Sequence, residues 1–268
     1  MPLFFSGKTI VKYVSLLCAA LFCACASNNT NTVRSTPSET LSFVTLPKSG
    51  ELHVLGVTGR QSSRTAEIEM AMEDAARKVS MYHIVWASID AVQNIGSSFF
   101  DYYVDSKTRV EYDMRLERYM QRLKFDPDRD VSRNKDGAVF VSFTYPAAFP
   151  GNISYNYGKN PDGSPEWVHK PPREIGGFAA GIGRSGRLSK FGDTFKKSYE
   201  AAAASIVSNA STSIMTKDSS VQSQVNSQII LQSSGYLTHF LVLETWIDPE
   251  TRAVYTLAIA KPVDPDVK

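Results

Sequence analysis

Cysteine is scarce in this chain and confined to one end of it: there are three in 268 residues, Cys18, Cys23 and Cys25, and none follows. The fold downstream therefore has no cysteine pair to oxidise and no Cys-x-x-Cys zinc motif. Histidine is nearly as sparse. The four, His53, His83, His169 and His239, lie more than a helical turn apart, so no local metal site exists and neither metal nor cofactor is expected. Charge of one sign is also lacking, with 29 Lys+Arg against 27 Asp+Glu. Nucleic-acid affinity comes mainly from concentrated Lys and Arg, so no nucleic-acid partner is expected. The chain contains neither a Gly-x-Ser-x-Gly elbow nor a His-Glu-x-x-His helix motif. What is present is apolar: 43% of residues are hydrophobic, which suffices for a buried core and argues against disorder.

The amino terminus reads as an address. Lys8 and Lys12 precede an apolar run over 13–24, shorter than the roughly 20 residues a helix needs to cross a bilayer. Residues 1–24 thus form a secretory signal. Of the three cysteines only Cys25 follows a small residue, Ala24, and this arrangement resembles a bacterial lipobox, with Phe22 standing where Leu is usual. The resemblance implies a diacylglyceryl cysteine, further acylated by palmitate, at Cys25, and a membrane partner reached through that lipid. Ala26, where inner-membrane lipoproteins often carry Asp, implies the outer membrane, with the protein facing the periplasm. The alternative is cleavage after Ala24-Cys25-Ala26, an A-x-A pattern that would release the protein. Residues 25–46, rich in Asn, Thr and Ser, are expected to be a disordered tether.

Beyond the tether the pattern repeats. Residues 52–60 and 177–184 are each a short apolar strand with glycines, followed by a helical pattern. In the first copy Ile68, Met72, Ala75, Val79, Tyr82 and Trp86 recur at steps of four and three, which predicts a helix over 65–89. Glu73 to Arg77 and Asp74 to Lys78 are favourable four-residue pairs. In the second copy Asp193 or Thr194 can cap a helix that presents Phe195, Tyr199, Ala202, Ile206 and Ala210 on one face. Strands follow each helix: 110–116 and 138–145 in the first copy, 221–231, 237–247 and 254–260 in the second. The stretch 146–172 holds six of the thirteen prolines. The expected fold class is α+β, with two tandem units, each a long helix packed on a small antiparallel sheet. They occupy 47–147 and 171–268, separated by a Pro/Gly-rich linker at 148–170.

The series Pro165-Glu166-Trp167-Val168, Ala180-Gly181-Ile182-Gly183-Arg184, an Ala-rich helix, Glu244-Thr245-Trp246-Ile247-Asp248-Pro249 and Val254-Tyr255-Thr256-Leu257 resembles the bacterial twenty-kilodalton lipoprotein family. The match spans about 165–262, with a more divergent second copy over 52–145. The resemblance implies α+β units and a role as an envelope antigen or a component associated with the flagellar basal body and its outer-membrane collar. It carries no catalytic residues.

The remaining motifs have structural explanations. Gly181-Ile182-Gly183-Arg184-Ser185-Gly186 fits a dinucleotide fingerprint, but the following helix starts late and runs through the place where a second strand is required. A strand end and turn is expected instead, and no nucleotide. Glu111, Asp113 and Glu117 beside Arg109, Arg115, Arg118 and Arg122 read as a solvated, mutually neutralising face. Lys190, Lys196, Lys197, Arg184 and Arg187 read as a solvated helix end. Phe99, Phe100, Tyr102 and Tyr103 crowd four aromatics into five positions in a stretch that the second copy lacks. They are the candidate interface, because aromatic rings carry much buried area at low entropic cost. The expected function is a structural or assembly role in the envelope, through envelope proteins or self-association. The rivals are an enzyme acting on glycan or lipid in an interdomain cleft, which a convergent His-carboxylate or carboxylate pair would favour, and a surface-exposed adhesin.

Overall fold

The computed structural model describes residues 51–94, 107–134, 137–151, 153, 156–218 and 228–263. By contacts the chain divides into 1–36 and 37–268, and every described residue lies in the second unit.

The fold is α+β, with four helices and two antiparallel sheets among the described residues. Strand β1 (Leu52–Gly59) leads to α1 (Arg64–His83), β2 (Val85–Asn94), β3 (Lys107–Tyr112), the single turn α2 (Glu117–Met120), β4 (Val131–Arg133) and β5 (Ala138–Tyr145). Next come a second short turn, α3 (Glu166–His169), and β6 (Glu174–Ile175). They are followed by β7 (Phe178–Ser185), α4 (Phe191–Asp218), β8 (Gln228–Ile247) and β9 (Val254–Pro262). One sheet has the order β1-β5-β4 and the other β3-β2-β8-β9-β7-β6.

The Ser63 hydroxyl caps α1 by accepting from the Ala66 amide at 3.1 Å. Ala71, Ala75, Val79 and Tyr82 then pack on Val139, Val141, Phe143 and Tyr145 of the first sheet. The helix sits unusually close to β1, because a Cβ at Gly56 would stand 2.0 Å from the Ala71 carbonyl oxygen. In the second half, α4 lays Tyr199, Ala202, Ala203, Ile206 and Val207 against Phe240, Ala258 and Ala260. Here too glycine permits the approach, since a Cβ at Gly183 would stand 1.9 Å from the Ser198 oxygen.

Several expectations need adjustment. Helix α1 stops at His83, well before residue 89, because Ile84 is already extended and Val85, Trp86, Ala87, Ser88 and Ile89 alternate between buried and half-buried along a strand. The step of four from Tyr82 to Trp86 mimics helical spacing. Strand β3 ends at Tyr112, short of residue 116, and Leu116 instead begins a helical turn that buries Tyr119. Ser233-Ser234-Gly235 makes no break: β8 runs twenty residues without one. Gly181 and Gly183 lie inside β7 under α4, and the strand end expected in this motif comes only at Ser185.

Strand β8 reaches across the sequence halves. Its first part pairs with β2, from Gln228↔Asn94 to Leu237↔Val85, and its second part pairs with β9 up to Ile247↔Val254. The proline-rich stretch between the halves contributes Ile153, Trp167 and Val168 to a core cluster, and the Trp167 indole donates to Glu244 Oε2 at 2.9 Å.

Candidate functional site

Cys25 and the aromatics Phe99, Phe100, Tyr102 and Tyr103 lie outside the described residues. The described strands bracket the aromatic stretch: β2 ends at Asn94 and β3 begins at Lys107. With the first part of β8 these strands form a three-stranded ribbon in which β2 is central. One face is apolar, carrying Val85, Ala87 and Ile89, with Val85 and Ala87 in the core cluster of α4 and with Val110 and Tyr112 packed beside them. The other face is open. It carries Arg109 and Glu111, ion-paired at 2.6 Å, then Trp86 with the Arg109 guanidinium 5.9 Å above its ring, and Tyr236, 53% exposed, directly across from Trp86. Lys107 and Ser234 are exposed on the same side.

A buried polar cluster centres on Asp74, which is 4% exposed. Its Oδ2 accepts from the Val57 amide at 3.0 Å and from Lys78 Nζ at 2.8 Å, and its Oδ1 accepts from the Tyr199 hydroxyl at 3.0 Å. Arg77 Nη1 stands 3.6 Å from Oδ1, and Lys78 also donates to the Leu55 carbonyl at 2.7 Å. One carboxylate thereby ties β1, α1 and α4 together. Burial drives the Tyr199 hydroxyl well above its ordinary range and pushes Tyr112 up to about 12. Burial likewise raises Glu200, whose carboxyl stands 3.8 Å from Lys196 Nζ. With both oxygens of Asp74 already accepting hydrogen bonds and Leu52, Val54, Val79 and Phe240 lining the adjoining space, the cluster is built as a clamp. The sequence offered Asp74 and Lys78 as an ordinary helical pair; the missed signal is that Glu67, Asp74 and Met81, all buried, repeat at sevens beside the apolar stripe.

His169 Nε2 and Asp162 Oδ2 are 3.4 Å apart, the pair type that would favour an enzyme, and both side chains are more than half exposed. Ser164, fully buried, donates to the other oxygen of Asp162 at 2.6 Å. The carboxylate therefore sits between serine and histidine, so the imidazole is not placed to take the serine proton, as a hydrolytic triad requires. These bonds close the 160–165 turn, in which Asn160 Nδ2 also reaches Ser164 Oγ at 2.9 Å. A polar depression at the start of α1 holds Arg60, Arg64 and Arg133. Arg133 is bonded to Glu67, whose carboxyl this bond holds below its ordinary value, and Arg64 donates to the Pro127 carbonyl. Asp113 pairs with Arg115 at 3.0 Å and Arg118 at 2.9 Å, so this part of the charged stretch neutralises itself as its composition suggests. No group of three His, Cys, Asp or Glu suited to a metal occurs among the described residues, and no described helix is long and apolar enough to cross a membrane.

No protein-family model, curated protein or solved structure matches this chain.

Proposed function

We propose that this chain is a lipid-anchored protein of the bacterial cell envelope with a non-catalytic structural or assembly role, held to the outer membrane through diacylated Cys25 and facing the periplasm. It is built from two tandem α+β units. Two features support the tandem reading. In each half the strand that precedes the long helix pairs with the last strand and the last with a third, giving β1-β5-β4 and β7-β9-β8. In each half, too, glycine in the first strand seats the long helix. The lipobox-like segment at 22–25 and the similarity of 165–262 to the twenty-kilodalton lipoprotein pattern support the location and the association with a flagellar or outer-membrane ring.

The observation that carries the assembly role is the open ribbon face, with Trp86, Arg109, Glu111 and Tyr236 exposed or half-exposed beside strands that flank Phe99, Phe100, Tyr102 and Tyr103. Rings presented on such a face bury large area when a partner covers them.

Two variants test it. Cys25→Ser should remain an unprocessed precursor or appear as a soluble form, while the wild type partitions into detergent; unchanged partitioning and mature mass would refute the anchor. Replacing Phe100 and Tyr103 together by Ser should abolish association, read by native mass and envelope co-purification, with the melting temperature almost unchanged. A collapsed melting temperature would place these rings in the core and remove the interface.

A further inference from the structure

Strand β3 is the last strand of the larger sheet. It pairs with β2 on one side, from Lys107↔Asp90 to Tyr112↔Val85, and no other backbone hydrogen bond among the described residues reaches it. The far end of the same sheet is blunt: β6 has two residues and follows Pro171 and Pro172. By contrast β3 is six residues long and contains neither proline nor glycine. An exposed edge of this kind is a template for another strand unless charge repels it. The charges along β3 are segregated by sign: Lys107 and Arg109, then Glu111, point to the open face, and Asp113 follows the strand.

That order is self-complementary. We propose that β3 pairs antiparallel with β3 of a second copy, with Val110 on the two-fold axis, joining the two sheets edge to edge. In this register Arg109 stands opposite Glu111 of the partner, and Glu111 opposite its Arg109. Lys107 falls opposite Asp113, and Thr108 opposite Tyr112. Directly opposed residues of opposite charge stabilise an antiparallel pair, and like charges destabilise it. Neighbouring two-fold registers are penalised, since sliding by two residues in one direction sets Arg109 against Arg109 and in the other Glu111 against Glu111. In-register parallel pairing stacks every charge on its like. The central pairs fix the register, because Arg109 and Glu111 side chains are 74% and 55% exposed and their ion pair is with each other, whereas Asp113 is already engaged by Arg115 and Arg118. A two-fold contact of this sort is isologous and closes at a dimer.

This inference rests on the assembly role and names one surface and its partner. The test is sedimentation velocity of the full-length chain in detergent across a range of concentrations. The wild type should be a dimer. Arg109→Glu alone and Glu111→Arg alone each place like charges opposite one another twice, and each should weaken the dimer by more than about tenfold. The double variant Arg109→Glu with Glu111→Arg should restore it, because position 109 faces position 111. All three variants should melt close to the wild type, since both side chains are exposed. Single reversals that leave the dimer intact, or a double variant that stays dissociated while melting normally, would overturn the pairing. A monomeric wild type that still cross-links into larger envelope complexes would overturn it too, and would leave the assembly role standing. A dimer with the expected reversal pattern in a chain recovered only outside the envelope would uphold the pairing and refute that role.

Discussion

The two long helices reach their sheets by the same means and are fixed there by different ones. Both α1 and α4 sit over a glycine where a Cβ would come within about 2 Å of a helix carbonyl oxygen. Helix α4 then relies on small residues, Ala202, Ala203 and Ala204, and on a hydroxyl, Ser198, that bonds Thr256 of β9 at 2.7 Å. Helix α1 instead buries two carboxylates, Glu67 and Asp74, each matched to a cation from its own half and, for Asp74, to a tyrosine from the other. Close approach sets the distance between helix and sheet. Charge pairing in α1 also sets rotation and the relation between halves, because a misplaced buried carboxylate costs far more than a misplaced methyl group.

The sharpest way to break the shared feature is to fill it. Gly56→Ala and Gly183→Ala should each cost about 3 kcal/mol or more, the upper range for overpacking. Gly186→Ala, with no atom within 4 Å of the added carbon, should stay within about 0.5 kcal/mol. Urea midpoints at constant m would check all three.

The difference between the helices is tested next. Asp74→Ala leaves Lys78, Arg77 and the Val57 amide without their buried partner and should cost about 3–5 kcal/mol. Ser198→Ala, its counterpart on α4, should cost about 1 kcal/mol. Similar losses for the two would mean that charge does not distinguish the helices.

Acid titration should split the two halves further. Glu67 is held below its ordinary 4.5 by the bond from Arg133, so its contribution is full above that value and is lost as pH falls below it. Burial raises Glu200 above the same ordinary value, so the folded state takes up a proton more readily than the unfolded one and stability declines as pH rises above about 4.5. Glu67→Gln should flatten the acid side of the stability profile and Glu200→Gln the neutral side, as read from urea midpoints between about pH 3 and 7. Matching changes in slope would contradict these opposite shifts.

The smallest effect sharpens the contrast within α1 itself. Glu73 pairs with Arg77 at 2.8 Å, one residue from Asp74, but on the exposed side, and Glu73→Ala should cost about 0.5 kcal/mol or less in a thermal melt.

Much of the architecture was legible. Runs such as 138–145 declare themselves because alternation and β-branching act locally, and Val79 with Ala75 marks the buried stripe of α1 whatever the partner. The end of α1 was hidden because Tyr82 and Trp86 keep helical spacing across a change of period. The β2–β8 pairing could not be read, since nothing near Val85 or Leu237 specifies a partner so distant in the chain. For the site, composition distinguished Arg109 and Glu111 only as members of a charged run. Their complementarity emerges once the strand is known to be an edge. Burial of Asp74 was concealed by a spacing to Lys78 that looks identical on any exposed helix.

The twenty-residue span of β8 has a kinetic corollary. Asn94 is threaded early and Gln228 late, so the first half cannot complete its ribbon until nearly the whole chain has emerged. Closing that long loop is slow compared with forming α1 on β1 and β5. A chain delivered amino terminus first must therefore hold the β8-facing edge of β2 unpaired for most of its synthesis or export. That interval favours chaperone protection, and completion of the ribbon waits on the arrival of β8.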